Sequence, residues 1–396
     1  MKKVTYCRLS RFSTYSSFST EDGCEEFYLA LGSPEGSTFV SALEIIEREY
    51  IDALKIIGLN DSTTVFGRLF LSDYVNQNGC IETSELLKKL RTGVLSIIEE
   101  KPIGGGPVAL FSHHIRNPGF KVVSSSVRHA GVNDPGCTGL FQGENYSLLY
   151  TANYCNGEVF DAYRQTDVIF KNINAVIDRN GMKLLDNTIR TWIYVRDIDN
   201  HYQNMVRARR EYFTDHGLTN DTRYLASTGI EGGGRLPEHL VTVDSLSISN
   251  LVPGQIVRME AVSHMSPTIL YGVTFERGLR VRFGDRSHMF ISGTASIDNK
   301  GVVLHLCDAV GQAKRAVENL RALLEEQQAA FSDLAYLICY VRNFHEWHLI
   351  EDVLRSEIGS DVPVIPVAAK VCRPTWLFEL EGVAVTADNN QFAPFK

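Results

Sequence analysis

The sequence predicts an α+β protein built from tandem β-sheets, each covered by helices on one face. Three observations carry this reading. A strand, helix, strand, helix order occurs twice in the second half of the chain. Within it, Tyr194-Val195-Arg196 and Tyr340-Val341-Arg342 hold the same place at an offset of 146 residues, and Asn174 and Asn319 fall one residue off that register. Between the copies lie short apolar strands punctuated by Gly232-Gly233-Gly234 and Pro253-Gly254.

Residues 1–39 are polar, rich in Ser, Thr, Tyr and Glu, and carry no motif. Leu43, Ile46, Tyr50, Leu54 and Ile57 recur at helical spacing, which predicts a helix from Ser41 to Gly58. Residues 64–72 read as a strand. Thr83 is placed to cap a second helix carrying Leu86, Leu87, Leu90, Val94 and Ile97. Gly104-Gly105-Gly106-Pro107 then leads into a strand at 108–112. This order admits reading as a worn third copy.

The first clear copy opens with a strand at 147–152. Its helix carries Val168, Ile169, Ile173, Val176 and Ile177, its next strand covers 188–196, and a helix runs through Tyr202, Val206, Arg209 and Phe213. Short strands follow at 242–248, 256–262 and 278–283. The second copy has a strand at 288–296, a helix with Val310, Ala313, Val317, Leu320 and Leu324, a strand at 335–342, and a helix through Trp347, Ile350 and Leu354. The segment 371–384 reads as a terminal strand. The expected units are 1–145, 146–262 and 263–396.

Composition narrows the function classes. The 396 residues are 44% hydrophobic and 22% charged, with a net charge of −8 and no Lys/Arg run, which argues against a nucleic-acid partner. No apolar run is long enough to span a membrane, and Met1-Lys2-Lys3 leads into polar residues rather than a signal sequence. Eight scattered cysteines without a C-x-x-C pair read as reduced thiols in a cytoplasmic protein. The two triple glycines lack phosphate-loop spacing. His345-x-x-His348 and the adjacent His113-His114 lack further zinc ligands and read as surface or packing histidines. No metal and no cofactor are expected. There is no Gly-x-Ser-x-Gly elbow, and Cys372 has no sequence-defined His partner, so a covalent nucleophile is not indicated.

The chemistry concentrates in the terminal segment. Side chains alternate along a strand, so Glu379 and Glu381 share one face. Two carboxylates in a largely apolar strand are costly unless they are paired, solvated in a cleft or protonated. They fit either the charged face of an edge strand or an acid held for proton transfer. Arg190, Arg209, Arg277 and Arg373 are singly ordinary salt-bridge residues; grouped about one acid, they would suit a small anionic substrate.

Both copies resemble the RidA/YjgF family. The resemblance rests on Ile291-Ser292-Gly293-Thr294-Ala295, Asn319-Leu320-x-Ala322-Leu323-Leu324 and Phe378-Glu379-Leu380-Glu381-Gly382. The arginine that RidA proteins carry shortly before the first Glu is missing from Pro363-Val364-Ile365-Pro366-Val367. Over residues 62–385 the chain is more similar to the chorismatases. That similarity is carried by Phe70-Leu71-Ser72-Asp73-x-x-Asn76-Gln77, Gly106-x-Val108-Ala109-Leu110, Arg190-Thr191-Trp192, Arg209-x-Glu211-x-Phe213, Ser227-Thr228-Gly229-Ile230, Tyr271-Gly272-x-x-Phe275-x-Arg277 and Cys372-Arg373-Pro374.

The resemblance implies an enzyme that cleaves the enolpyruvyl ether of chorismate or a related small carboxylate and releases pyruvate. It implies Glu379 as the acid and Cys372 as a product-determining wall of the hydroxybenzoate-forming type. Arg209, Arg277, Arg373, Tyr271, Glu381 and Ala295 would line the substrate. The alternatives on this scaffold are a RidA-type enamine/imine hydrolase and a non-catalytic binder of a small acid. The chain would act as a monomer of pseudo-symmetric units or as a homotrimer. It departs from the family at Glu276, where serine is usual, and at Asp298-Asn299-Lys300, where Gly-His-Glu is usual.

Overall fold

The computed structural model describes residues 3–21, 24–117, 121–124, 136–268 and 273–396. The first unit runs through β1 (Thr5–Arg8), β2 (Ser13–Ser19), β3 (Glu25–Gly32), α1 (Phe39–Ile57), β4 (Thr64–Leu71), α2 (Tyr74–Glu82), α3 (Glu85–Leu90), β5 (Val94–Glu99), β6 (Lys101–Pro102) and β7 (Val108–Arg116). The second comprises β8 (Lys121–Ser124), β9 (Cys137–Gln142), β10 (Ser147–Cys155), α4 (Ala162–Arg179), α5 (Leu184–Asn187), β11 (Thr188–Val195), α6 (Ile198–Asp215), β12 (Ala226–Glu231) and β13 (Val241–Ile248). The third comprises β14 (Ile256–Met259), β15 (Gly278–Arg282), β16 (Arg286–Ala295), α7 (Ala309–Glu325), β17 (Leu334–Val341), α8 (Trp347–Glu357), β18 (Val364–Ala368) and β19 (Phe378–Ala387).

One topology is used three times. The sheets are ordered β1-β2-β3-β7-β4-β5, β8-β9-β10-β13-β11-β12 and β14-β15-β16-β19-β17-β18. In each, the last strand inserts between the third and fourth, and the fourth and fifth run parallel. The polar N-terminal residues, which show no motif, supply β1 to β3. Serine and threonine fit the pleat there: Ser13 and Ser16 are buried and satisfied by Glu49 and by the Ala335 carbonyl.

Local signals explain most elements. Thr38 Oγ1 accepts from Ser41 N at 3.3 Å to start α1, and Gly58 ends it at φ 75°. The helix expected after Thr83 is shorter. Ser84 caps α3, a turn at Thr92-Gly93 ends it, and Val94 and Ile97 lie buried in β5. The expected terminal strand also starts later: residues 371–377 form a loop, and β19 begins at Phe378. Pro374 has no N–H for a ladder. Arg342 instead donates to the carbonyls of Val371 (2.8 Å) and Trp376 (3.2 Å) and holds the loop in place.

The sheets close into a ring within one chain. Gly233 bridges to Glu99, Val371 bridges to Ile230, and Pro102 pairs with Val367. Each unit thus hands the segment before its last strand to a neighbour's edge, which removes three exposed edges. Helices cover the outer faces, and the inner faces share one core. Arg68 reaches Asp244 at 2.9 Å and Arg190 reaches Glu381 at 2.5 Å across this core, while Phe111 packs on Tyr336 at 4.2 Å between ring centroids. Asp244, Glu381 and Phe111 occupy one equivalent position, paired with Trp192, Ile338 and Arg68. Two residues earlier in each unit stand Thr242, Glu379 and Ala109, paired with Tyr194, Tyr340 and Phe70.

Candidate functional site

Glu379 opens into a cleft between the second and third units. One wall comes from α6, where Tyr202, Val206 and Arg209 recur every three or four residues and so share a helix face. The other comes from β16, β19 and the 371–377 loop. The loop is pinned from beneath: Gln312 Nε2 donates to the Thr375 carbonyl at 2.9 Å, its Oε1 accepts from Leu377 N at 2.8 Å, and Trp376 Nε1 donates to the Ser296 carbonyl at 3.2 Å. This sets Cys372, Arg373 and Trp376 along the cleft.

Glu379 is 4% exposed, and no described residue hydrogen-bonds its carboxyl. Burial, then the negative charge of Glu381, pushes its pKa up to about 8 against the pull of Arg190 and Arg277. The room for this carboxyl is made by Gly293, because a Cβ there would stand 2.8 Å from Glu379 Cδ and overlap one of its oxygens.

Glu381 shares the strand face but not the cleft. Arg190 Nη2 donates to its Oε2 at 2.5 Å, Trp192 Nε1 to its Oε1 at 2.9 Å, and Thr228 Oγ1 also donates to it. Arg68 stands 3.9 Å away. The expected pair of substrate-facing carboxylates is therefore one acid in the cleft and one ion-paired carboxylate behind it.

The expected arginines converge. Arg209 is 2% exposed; its Nε donates to Thr274 Oγ1 at 3.2 Å, while its buried Nη2 has no partner among the described residues. Burial pulls its pKa down, as for a cation lacking a counter-anion. Arg277 is oriented by the Ser266 carbonyl through Nε (3.2 Å) and Nη2 (2.8 Å), and Arg373 lies over the Trp376 ring at 4.8 Å. Ala295 lines the floor. Tyr271 lies outside the described residues. Cys372 is half-buried beside Tyr202, and burial followed by the Glu379 charge pushes its thiol up to about 12, so it stays protonated near neutrality.

The two departures from the family do not reach the cleft. Phe275 and Arg277 face it, so Glu276 between them faces away and accepts from Tyr224 N at 2.7 Å, with Arg258 at 3.4 Å. Asp298 closes an exposed turn by accepting from Lys300 N and Val302 N. Among the described residues no group of His, Cys, Asp or Glu could hold a metal, and no helix is long and apolar enough to cross a membrane. Arg210, Gln203, Tyr202 and Trp376 also line the cleft without having been picked out from the sequence. The helical stripe that joins Tyr202 and Val206 to Arg209 was the signal available for the α6 residues.

Residues 281–386 match the family model described as Endoribonuclease L-PSP. The chain is 25% identical over 274 residues to a 3-hydroxybenzoate synthase of Streptomyces hygroscopicus, covering 61% of this chain and 78% of that protein. It is 29% identical over 98 residues to a RutC family protein of Pyrococcus abyssi, covering 24% and 76%. Its fold matches the crystal structure of a chorismatase with a TM-score of 0.63 at 17% identity, over 90% of this chain and 98% of that one. Residues 281–386 thus resemble the L-PSP family, and the chain as a whole has the fold of a chorismatase.

Proposed function

We propose that the protein cleaves the enolpyruvyl ether of chorismate or a closely related small carboxylate and releases pyruvate. The single observation that carries this is a buried carboxyl, Glu379, with a pKa of about 8, facing a cleft lined by Arg209, Arg277 and Arg373. An acid that keeps its proton near neutrality, set among cations, suits protonation of an electron-rich carbon on an anionic substrate. The similarity to a protein named 3-hydroxybenzoate synthase points to the same substrate class.

In this reading the guanidinium groups hold the substrate carboxylates and place the enolpyruvyl methylene against Glu379. Glu379 gives its proton to that methylene carbon, forming a C–H bond and leaving an oxocarbenium ion and a carboxylate. Water adds to the cation and loses a proton to Glu379, which leaves a hemiketal. Glu379 returns that proton to the ether oxygen as its bond to the hemiketal carbon breaks, the hemiketal hydroxyl gives up its own proton to Glu379, and pyruvate leaves. Cys372 stays a thiol and bounds the space in which the cation is captured. Glu381 stays paired with Arg190 and acts on Glu379 through its charge.

The test is purified protein incubated with chorismate and assayed for pyruvate. Turnover above the spontaneous rate is expected, together with a loss of roughly two to four orders of magnitude in Glu379→Gln. Unchanged turnover in that variant, with an intact circular-dichroism spectrum, would remove Glu379 from the role. Tight chorismate binding without pyruvate would show a binding protein instead.

A further inference from the structure

Because the three units close a ring, the Glu379 cleft has a counterpart where the third unit meets the first. The match runs position by position. Tyr202 and Arg209 of α6 correspond to Trp347 and Leu354 at the same spacing along α8. Gly293 and Ala295 of β16 correspond to Ala30 and Gly32 of β3, Cys372 corresponds to Ile103, and Glu379 corresponds to Ala109. The acid and the buried cation are thus replaced by alanine and leucine. The cleft remains open, at about 170 Å³ against about 80 Å³ beside Glu379.

The glycine run 104–106 forms the lip of this second cleft. A Cβ on Gly104 would lie 2.5 Å from Trp347 Nε1, and one on Gly105 2.6 Å from the Ser33 carbonyl oxygen. Three glycines let the chain pass flat against both without filling the space. Behind the lip the lining is apolar, with Trp347, Leu354, Ala109 and Ile365.

The mouth is basic on a chain whose net charge is −8: Arg8, Arg11 and Arg355 stand there against Glu351 alone. Glu351 is taken by Arg355 at 2.6 Å. Arg8 donates to the Ser360 carbonyl at 2.8 Å, a neutral acceptor that leaves its charge uncompensated. Arg11 forms no ion pair among the described residues.

We propose that this cleft binds a small aromatic or alicyclic carboxylate and does not turn it over. The ring packs against Trp347 and Ala109, and the carboxylate meets Arg8 and Arg11 at the mouth. An apolar slot with a cationic rim selects this class over neutral rings and over dianions that need burial. The inference does not depend on the reaction proposed at Glu379.

The test uses the full chain and benzoate as the probe. Saturable quenching of tryptophan emission is expected, with calorimetric binding of the same affinity. In the Arg8→Glu/Arg11→Glu double variant, whose changes are on exposed side chains, affinity should fall at least about tenfold while pyruvate release from chorismate stays at the wild-type rate. Arg209→Leu should leave the benzoate quench in place, and Trp347→Phe should remove the quench while heat of binding persists. No saturable binding at millimolar benzoate would overturn the proposal. So would binding that survives the double arginine change but is lost in Arg209→Leu, which would place the probe in the Glu379 cleft.

Discussion

Arg190 of the second unit donates to Glu381 of the third across 2.5 Å of buried core. That pair separates two carboxyls that alternation puts on one face. Glu381 takes the cation, the Trp192 N–H and the Thr228 hydroxyl, and Glu379 receives none of them. The unpaired acid then feels its burial and its neighbour's charge, and both raise its pKa.

A pH profile should show this directly. Glu379 is protonated below about 8, so kcat for pyruvate release is expected to fall tenfold per pH unit above that value. The folded pKa lies above the 4.5 of a free glutamate, so the folded state holds a proton that the unfolded state has lost between the two values. Stability relative to Glu379→Gln should therefore be lost as pH rises from about 4.5 through about 8. Melting curves of the two proteins across that range check the sign, and a flat difference would count against it.

Glu381→Gln should act on both stability and the profile. Removing one partner of a buried ion pair leaves Arg190 without its anion and costs about 3–5 kcal/mol in denaturant titration. It also removes the charge that raises the Glu379 pKa, so the descending limb of the profile should move to lower pH. A move to higher pH would contradict the proposed coupling.

Gly293→Ala tests the space around the acid. The added methyl overlaps the Glu379 carboxyl, which must rotate or shift. Turnover is expected to drop at least about hundredfold, the usual result of displacing a reacting group by an ångström. The circular-dichroism spectrum should be unchanged, since the methyl enters the cleft.

Arg209→Leu removes the buried guanidinium whose Nη2 has no partner. KM for chorismate should rise roughly ten- to hundredfold, the value of a charge-assisted hydrogen bond, with a smaller change in kcat. The melting temperature should hold or rise, because the free protein no longer buries an uncompensated cation.

Much of the fold was legible along the chain because helices and strands bury faces at fixed periods. The stripes of α1, α4, α6 and α7 and the repeat joining β11 to β17 are of this kind. The first unit was harder to read. Its early strands are rich in Ser and Thr, whose hydroxyls are satisfied by partners distant in sequence, such as Ser16 with the Ala335 carbonyl. The 371–377 segment looked extended because its loop shape is imposed by Arg342 and Gln312, again from far along the chain.

By itself the sequence determined the sheet-and-helix units, their repetition, and the two glutamates on one strand face, since all three follow from local periodicity. Only the tertiary structure decided which glutamate is an acid and which is a counter-ion. It also turned Glu276 away from the cleft and brought Arg209 from a neighbouring unit to face Glu379. The reason is physical: a carboxyl's proton affinity depends on burial and on charges a few ångströms away, and those neighbours come from three units joined only by folding.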